Sequence, residues 1–339
     1  MTTTDHTLIM ATMATERCTT QFVQSLADAG MRGIRINSAH VTPADIAHIV
    51  NTVRTVDPSI TILMDTKGPE IRTTDVDAPI QLCEGHTLTL AGEDSYTTAQ
   101  RICLTAHDIH TSLQPGHTVM IDDGDIQMLV TEITASAIKA KITRAGILGS
   151  RKTVNIPGCQ LPPLPALSER DRINIEAGKQ LGIDLIAHSF VRSRADVDAV
   201  RRAISGTSIR LYSKIECTQA VENLHDILDS SDGLLVARGD LGTCMPLSDI
   251  PVLQYDITAA CRKAAKPFIL STQILHSMIH SPAPTRAEVN DIAMAVMQGA
   301  EWLLLCGETA QGQYPLQCVE TMQATILSVE NHSLRCKIN

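Results

Sequence analysis

The chain has 339 residues, enough for one large domain and a smaller one. It is 44% hydrophobic and 19% charged with a net charge of −9, a balance that fits a globular protein and argues against nonspecific nucleic-acid binding. One Trp, four Tyr and three Phe offer little stacking surface for bases, no apolar run reaches the roughly 18 residues of a membrane span, and the polar start Met1–His6 is unlike a signal peptide.

The ten cysteines are scattered, without a C-x-x-C pair. They read as buried free thiols in a reducing compartment rather than a disulfide framework or a zinc site. A cytoplasmic protein with no membrane or nucleic-acid partner is expected.

Taken in order, short apolar runs alternate with helical segments. Leu8–Thr12 is the first run, followed by a helix over about Thr20–Ala29 that Gly30 closes. Gly33–Asn37 is the second, and a helix starts at Thr42-Pro43, with threonine as cap and proline in the first turn. Ile60–Asp65 is the third. This alternation predicts a parallel sheet with right-handed crossovers.

From about Thr74 to Gly158 the segments become short, alternating and turn-rich, and Asp122-Asp123-Gly124 is a hairpin signal. An inserted all-β domain over 74–158 is expected, leaving 1–73 and 159–339 as one discontinuous domain. The strand and helix rhythm resumes at Leu164, with Ser168 capping a helix whose register holds Ile173 and Ile175. Five further strands follow: Leu185–Val191, Leu211–Glu216, Gly233–Asp240, Pro267–Thr272 and Trp302–Cys306. Three strands before the insertion and five after it make a closed (β/α)8 barrel, an α/β fold.

The active site of such a barrel sits at the C-terminal strand ends. Those ends carry Arg35 and Asn37, Asp65 and Thr66, Ser189 and Arg192, Lys214 and Glu216, Arg238 and Asp240, Thr272 and Gln273, and Gly307 and Glu308. Lys214 and Glu216 lie two apart and so project together on either side of Ile215. Glu216 and Asp240, acids at two neighbouring strand ends, suit Mg²⁺ or Mn²⁺, with ligand oxygens completing the shell. Arg35, Arg72 and Lys214 suit a phosphate or carboxylate. The Ala237-Arg238-Gly239 backbone offers N–H groups to a small anion, and Thr272 a hydroxyl that can pass a proton or end the strand. A metal-dependent enzyme acting on a small anionic oxoacid or its phosphate is expected. No Walker P-loop and no G-x-G-x-x-G fingerprint is present.

At Asp65-Thr66-Lys67-Gly68-Pro69-Glu70-Ile71-Arg72-Thr73 the chain resembles pyruvate kinase. The resemblance continues through Ile121–Gly124, Ser189–Arg192, Ser213–Glu216, Val236–Gly242, Pro284–Val289 and Gly307–Ala310. It implies phosphoryl transfer from phosphoenolpyruvate to ADP, giving pyruvate and ATP. By motif, Glu216 and Asp240 resemble the Mg²⁺ ligands, and Lys214 the lysine that neutralises the phosphoryl group and the enolate. Arg35 resembles the phosphate-binding arginine, Thr272 the threonine beside the protonated carbon, and Ala237, Arg238 and Gly239 the carboxylate-binding segment. Arg35, His40, Arg72 and Lys152 resemble groups facing the nucleotide, Lys152 reaching in from the insertion, a β-barrel lid. Asn37, Asp65 and Thr66 resemble K⁺ ligands, and Glu70 matches the potassium-dependent branch.

The chain also departs from that pattern. Asn37-Ser38-Ala39-His40-Val41 stands for Asn-Phe-Ser-His-Gly, so Ala39 removes a potassium ligand and K⁺ binding is expected to be weakened. Met13-Ala14-Thr15 replaces Ile-Gly-Pro, Thr153 replaces the glycine of Lys-Gly-Val-Asn, and Cys306 replaces a serine. The chain stops at Asn339, where the family continues into a regulatory domain. Without that domain, control by sugar phosphates is not expected, and a monomer or homodimer is expected rather than the usual tetramer. The alternative reading keeps the site but changes the reaction: a specialised-pathway enzyme that uses phosphoenolpyruvate or an oxoacid enolate differently. A third reading is a silent scaffold, against which Lys214, Glu216 and Asp240 are all retained.

Overall fold

Three helices begin at reciprocal caps. Thr42, Ser168 and Thr285 each accept the N–H of the acid three residues on, and Asp45, Asp171 and Glu288 bond back to the cap's own N–H. The computed structural model describes residues 6–39, 41–122, 124–134, 137–159 and 164–338, with side chains to His332.

The chain runs β1 (Leu8–Thr12), α1 (Thr20–Asp28), β2 (Met31–Asn37), α2 (Pro43–Val56) and β3 (Thr61–Asp65). An all-β excursion follows: β4 (Ile71–Arg72), β5 (Ile80–Leu82), β6 (Thr87–Gly92), β7 (Arg101–Leu104), β8 (Thr118–Ile121), β9 (Ile126–Ile133), β10 (Ile138–Arg144), β11 (Gly146–Leu148) and β12 (Thr153–Asn155). Then come α3 (Glu169–Leu181), β13 (Leu185–His188), α4 (Arg194–Ala203), β14 (Arg210–Ile215), α5 (Thr218–Glu222), α6 (Leu224–Ser230), β15 (Gly233–Ala237) and α7 (Arg238–Cys244). The chain ends through α8 (Ile250–Lys263), β16 (Phe268–Ser271), α9 (Arg286–Met297), β17 (Trp302–Leu305), α10 (Gly307–Ala310) and α11 (Pro315–Ile338).

The first three strands and the last five pair in parallel and close in the order β1-β17-β16-β15-β14-β13-β3-β2. This is the expected (β/α)8 barrel with a β insertion after its third strand. Successive strand residues face opposite ways. Met10, Leu63, Leu185, Tyr212, Leu235, Ile269 and Trp302 therefore fill the interior, while Ile9, Ile34, Met64, Ile186 and Leu211 pack under the helices. Gly33 makes room for the indole, since a Cβ there would stand 2.8 Å from the Trp302 ring.

Two motifs that carried the resemblance hold the barrel together. Glu288, in the helix cap, also accepts the Ser277 N–H at 2.7 Å and its hydroxyl at 2.6 Å. Glu308 is buried and accepts from Leu275 N (3.2 Å) and Cys306 N (2.8 Å), while Thr309 Oγ1 donates to Thr12 O at 3.0 Å. Strand β17 is thus tied to its neighbours on both sides.

In the insertion, a seven-stranded sheet runs β4-β12-β8-β9-β10-β6-β7, and β5 pairs with β11. Its two edges meet: Thr74 N donates to Cys103 O and Thr105 N to Arg72 O, both at 2.9 Å. The sheet curls around Leu90, Ile102, Val119 and Met128. The β8–β9 turn has left-handed Asp122 (φ 55) and Gly124 (φ 91); Asp123 lies outside the described residues.

One expected register is corrected. Ile175 is 2% exposed, but Ile173 is 51% exposed. Residues two apart on a helix diverge by about 200° and cannot both face the barrel. Among the described residues, no helix is long and apolar enough to cross a membrane.

Candidate active site

Strand parity lifts Arg35, Asp65 and Lys214 into the barrel interior, one layer above the apolar fill of Leu63 and Tyr212. Asp65 Oδ2 accepts from Arg35 Nε at 2.9 Å and Nη2 at 2.5 Å, and lies 3.3 Å from Lys214 Nζ. The same ammonium stands 2.6 Å from Glu216 Oε1 and donates to Ser189 Oγ at 3.0 Å. Glu216 Oε2 accepts the Phe190 N–H at 2.8 Å.

Burial alone would raise the Asp65 pKa, but Arg35 and Lys214 outweigh it and hold the carboxyl below its ordinary range. Burial likewise opposes the Lys214 charge, yet Asp65 and Glu216 overcome it and the pKa rises. Arg35, Asp65 and Lys214 are therefore all charged at neutral pH. Asp65 Oδ1 and Glu216 Oε1 are buried and accept no directed hydrogen bond, Glu216 Oε1 keeping only its ion pair. Such oxygens are costly unless a cation takes them up.

On the next strands, Thr272 Oγ1 donates to Ser271 O at 2.6 Å and accepts the Gly239 N–H at 2.8 Å. Thr272 and Gln273 are both left-handed, with φ 69 and 54. A β-branched residue adopts that region only under constraint, and such strain collects at functional sites. The Arg238 guanidinium is turned onto Asp291 (2.7 Å) and Thr272 O (2.9 Å), so this side chain braces the rim. Only the backbone of Ala237-Arg238-Gly239 is left to meet a ligand there.

Asp240 sits in the first turn of α7, because β15 ends at Ala237 and not at the acid; this corrects the expected strand-end placement. It nevertheless shares a cleft with Glu216. Thr153 to Gly158 of the insertion, with Cys159 just after it, line that cleft together with Phe190, Arg192, Glu216–Gln219, Asp240 and Cys244 of the barrel. Across it, Asn155 Nδ2 donates to Thr243 Oγ1 at 3.0 Å, and Thr243 Oγ1 donates to Asp240 O at 2.7 Å. Among the described residues no three His, Cys, Asp or Glu side chains converge. Two carboxylates in one cleft suit a Mg²⁺-type cation that keeps other oxygens in its shell.

Thr66 is on the outward parity: its Oγ1 lies 2.8 Å from His188 Nδ1 and accepts the Ser189 N–H at 3.0 Å. Asn37 Oδ1 accepts the Ala39 N–H at 3.3 Å. His40 lies outside the described residues. A second cleft gathers Lys67, Arg72, Arg151, Lys152 and Arg170. Within it Arg72 pairs with Glu70 and Lys152 with Asp122, each at 2.6 Å. Arg35 is set apart from these two, inside the barrel with Asp65 and Lys214.

A family model described as the pyruvate kinase barrel domain matches residues 4–319. The pyruvate kinase of Borreliella burgdorferi is 36% identical over 330 residues, covering 96% of this chain and 69% of that protein. That of Methylorubrum extorquens is 37% identical over 334 residues, covering 97% and 70%. The chain belongs to the pyruvate kinase family. A crystal structure of a pyruvate kinase from Cryptosporidium parvum shares the fold at a TM-score of 0.91 and 34% identity, covering 96% of this chain and 69% of that one.

Within this pyruvate kinase barrel, three relations escaped the reading of the sequence. Asp65 pairs with Arg35 and Lys214 at once. Ser189 holds the lysine, and His188 stands behind it at the barrel wall. Parity gave a cue to Ser189, which shares a face with the interior Ala187. Nothing in the sequence pairs His188 with Thr66, 122 residues earlier.

Proposed function

We propose that this chain transfers the phosphoryl group of phosphoenolpyruvate to ADP, giving pyruvate and ATP. The observation that carries the reading is the Lys214 ammonium, buried between Asp65 and Glu216 in a barrel of the pyruvate kinase family. A fixed, ionised cation in a water-poor layer stabilises negative charge that develops on a transferring phosphoryl group and an enolate.

Each neighbour has a part. Arg35, anchored on Asp65, offers its remaining N–H groups to the phosphoryl oxygens. The Ala237-Arg238-Gly239 backbone receives the substrate carboxylate, which displaces the bond between Gly239 N and Thr272 Oγ1. That leaves a lone pair open on Thr272 Oγ1, and the hydroxyl, on turning away from Ser271 O, positions the proton delivered to the enolate carbon. Arg72 and Lys152 exchange Glu70 and Asp122 for the nucleotide phosphates. Glu216 and Asp240 would hold Mg²⁺ or Mn²⁺, which supplies Lewis-acid neutralisation of the phosphate and enolate oxygens. Asp65 Oδ1, Asn37 and the main chain of Thr66 are the groups offered to K⁺, the Thr66 hydroxyl being turned onto His188 and Ala39 contributing no side-chain oxygen.

The test is incubation with phosphoenolpyruvate, Mg²⁺ and K⁺, with and without ADP, following pyruvate and ATP. Stoichiometric pyruvate and ATP support the proposal. Pyruvate formed without ADP replaces it with the enolate-directed alternative, and no pyruvate in either arm removes both.

A further inference from the structure

The turn Ser189–Phe190 seats both charged groups at the heart of the site. Ser189 Oγ accepts from the Lys214 ammonium at 3.0 Å, and the next N–H, of Phe190, donates to Glu216 at 2.8 Å. That turn is strained. Phe190 has φ 54, in the left-handed region that a bulky side chain rarely adopts. Such a conformation persists only where its surroundings hold it.

Two supports are visible. On one side Gly68 packs against the turn so closely that a Cβ there would lie 2.4 Å from Ser189 O. On the other, the Ser189 N–H donates to Thr66 Oγ1 at 3.0 Å, and Thr66 Oγ1 lies 2.8 Å from His188 Nδ1. Thr66 and His188 are on the outward parity of β3 and β13, behind the wall and under the helices. His188 is fully buried and its Nε2 has no partner, so its single hydrogen bond is the one to Thr66. Burial keeps the imidazole neutral, pushing its pKa down to about 4. A neutral ring can serve Thr66 in either tautomer.

We propose that His188 is a positioning residue: from behind the barrel wall it fixes Thr66, and through Thr66 the Ser189–Phe190 turn that sets Lys214 and Glu216. The inference rests on the proposed function only in taking the ligand of those two groups to be a divalent cation with a phosphorylated substrate. His188 itself touches neither.

The experiment compares the full chain with His188→Ala and His188→Asn. Asparagine places a hydrogen-bonding atom near the position of Nδ1. Three readouts are taken: amide exchange at Ser189 and Phe190, Mn²⁺ affinity by electron paramagnetic resonance, and kcat and KM for pyruvate formation. The alanine variant is expected to exchange those amides faster, to bind Mn²⁺ about tenfold more weakly, and to lose kcat with the KM for ADP little changed. The asparagine variant is expected near wild type in all three.

Unchanged amide protection or unchanged Mn²⁺ affinity in folded His188→Ala overturns the proposal, as does an asparagine variant as impaired as the alanine one. If His188→Ala does not fold, His188→Asn decides: wild-type Mn²⁺ affinity supports the brace, and its loss in a folded protein overturns it. A wild-type chain that forms no pyruvate counts against the proposed reaction alone, with the amide and Mn²⁺ measurements still deciding the role of His188.

Discussion

Lys214 Nζ stands 3.3 Å from Asp65 Oδ2, the oxygen that two nitrogens of Arg35 already grip. One buried carboxylate thus orients both cations offered to the substrate. This links stability and chemistry in the same three side chains, because breaking a buried ion pair leaves an uncompensated charge.

Asp65→Asn is expected to destabilise the fold by about 3–5 kcal/mol, since Arg35 and Lys214 would lose their common anion in the interior. Urea denaturation followed by circular dichroism measures this. A loss below ~1 kcal/mol would mean that water or Glu216 compensates the two cations.

Lys214→Met is expected to lower kcat by about 100- to 1000-fold, the scale for removing one preorganised electrostatic donor. The fold should persist at some cost in stability, since methionine fills the space of the lysine stem but leaves Glu216 without its ion pair. Pyruvate release, read beside a thermal melt, checks both parts. Wild-type turnover in a folded variant would take the lysine out of the mechanism.

The pH dependence of stability follows from His188. Burial depresses its pKa to about 4, from an ordinary value of 6.5, among Asp171, Asp196, Arg192 and Lys214. Between those values the unfolded chain binds more protons than the folded one, so stability rises with pH. The contribution is complete above about pH 6.5 and is lost as pH falls towards 4, a span worth roughly 3 kcal/mol. Thermal midpoints from pH 7.5 to 4.5 should fall more steeply for the wild type than for His188→Asn. Parallel curves would place the acid sensitivity elsewhere.

Ala39→Ser is expected to strengthen the response to K⁺. Asn37 Oδ1 already accepts the Ala39 N–H, and Asp65 Oδ1 is buried without a hydrogen bond, so an added hydroxyl supplies the oxygen that alanine lacks. Initial rates against KCl at constant ionic strength check this. An identical half-activation concentration in both proteins would show that Ala39 is remote from the cation.

Asp122→Asn should lower the KM for ADP severalfold by releasing Lys152, which the aspartate holds at 2.6 Å. Both side chains are about one-third exposed, so the change in folding stability should stay below ~1 kcal/mol. An ADP titration of initial rates measures the effect, and an unchanged KM would separate Lys152 from the nucleotide.

Periodicity was enough for the architecture. Eight apolar runs, seven of them with polar or charged ends, three before an alternating stretch and five after it, have few solutions other than a closed parallel barrel. Strand parity also made the joint projection of Lys214 and Glu216 readable, because a two-residue repeat is a local property of the backbone. Local reasoning reached its limit where a turn intervened. Asp240 looked like a strand end but belongs to a helical turn, and two isoleucines two apart could not share one helix face.

The sequence by itself determined which strands exist, which way their side chains point and which charges crowd one rim, since each depends on neighbours a few residues away. Tertiary structure alone decided the pairings across the barrel: Asp65 with Arg35 and Lys214, Ser189 under the ammonium, His188 against Thr66, and Asn155 across the cleft to Thr243. Those partners are 25 to 149 residues apart along the chain, Ser189 and Lys214 being the nearest pair and Asp65 and Lys214 the most distant. Their contacts arise only when closure of the sheet brings separate strands to one layer, because hydrogen bonds and ion pairs act over a few ångströms of space and take no account of distance along the chain.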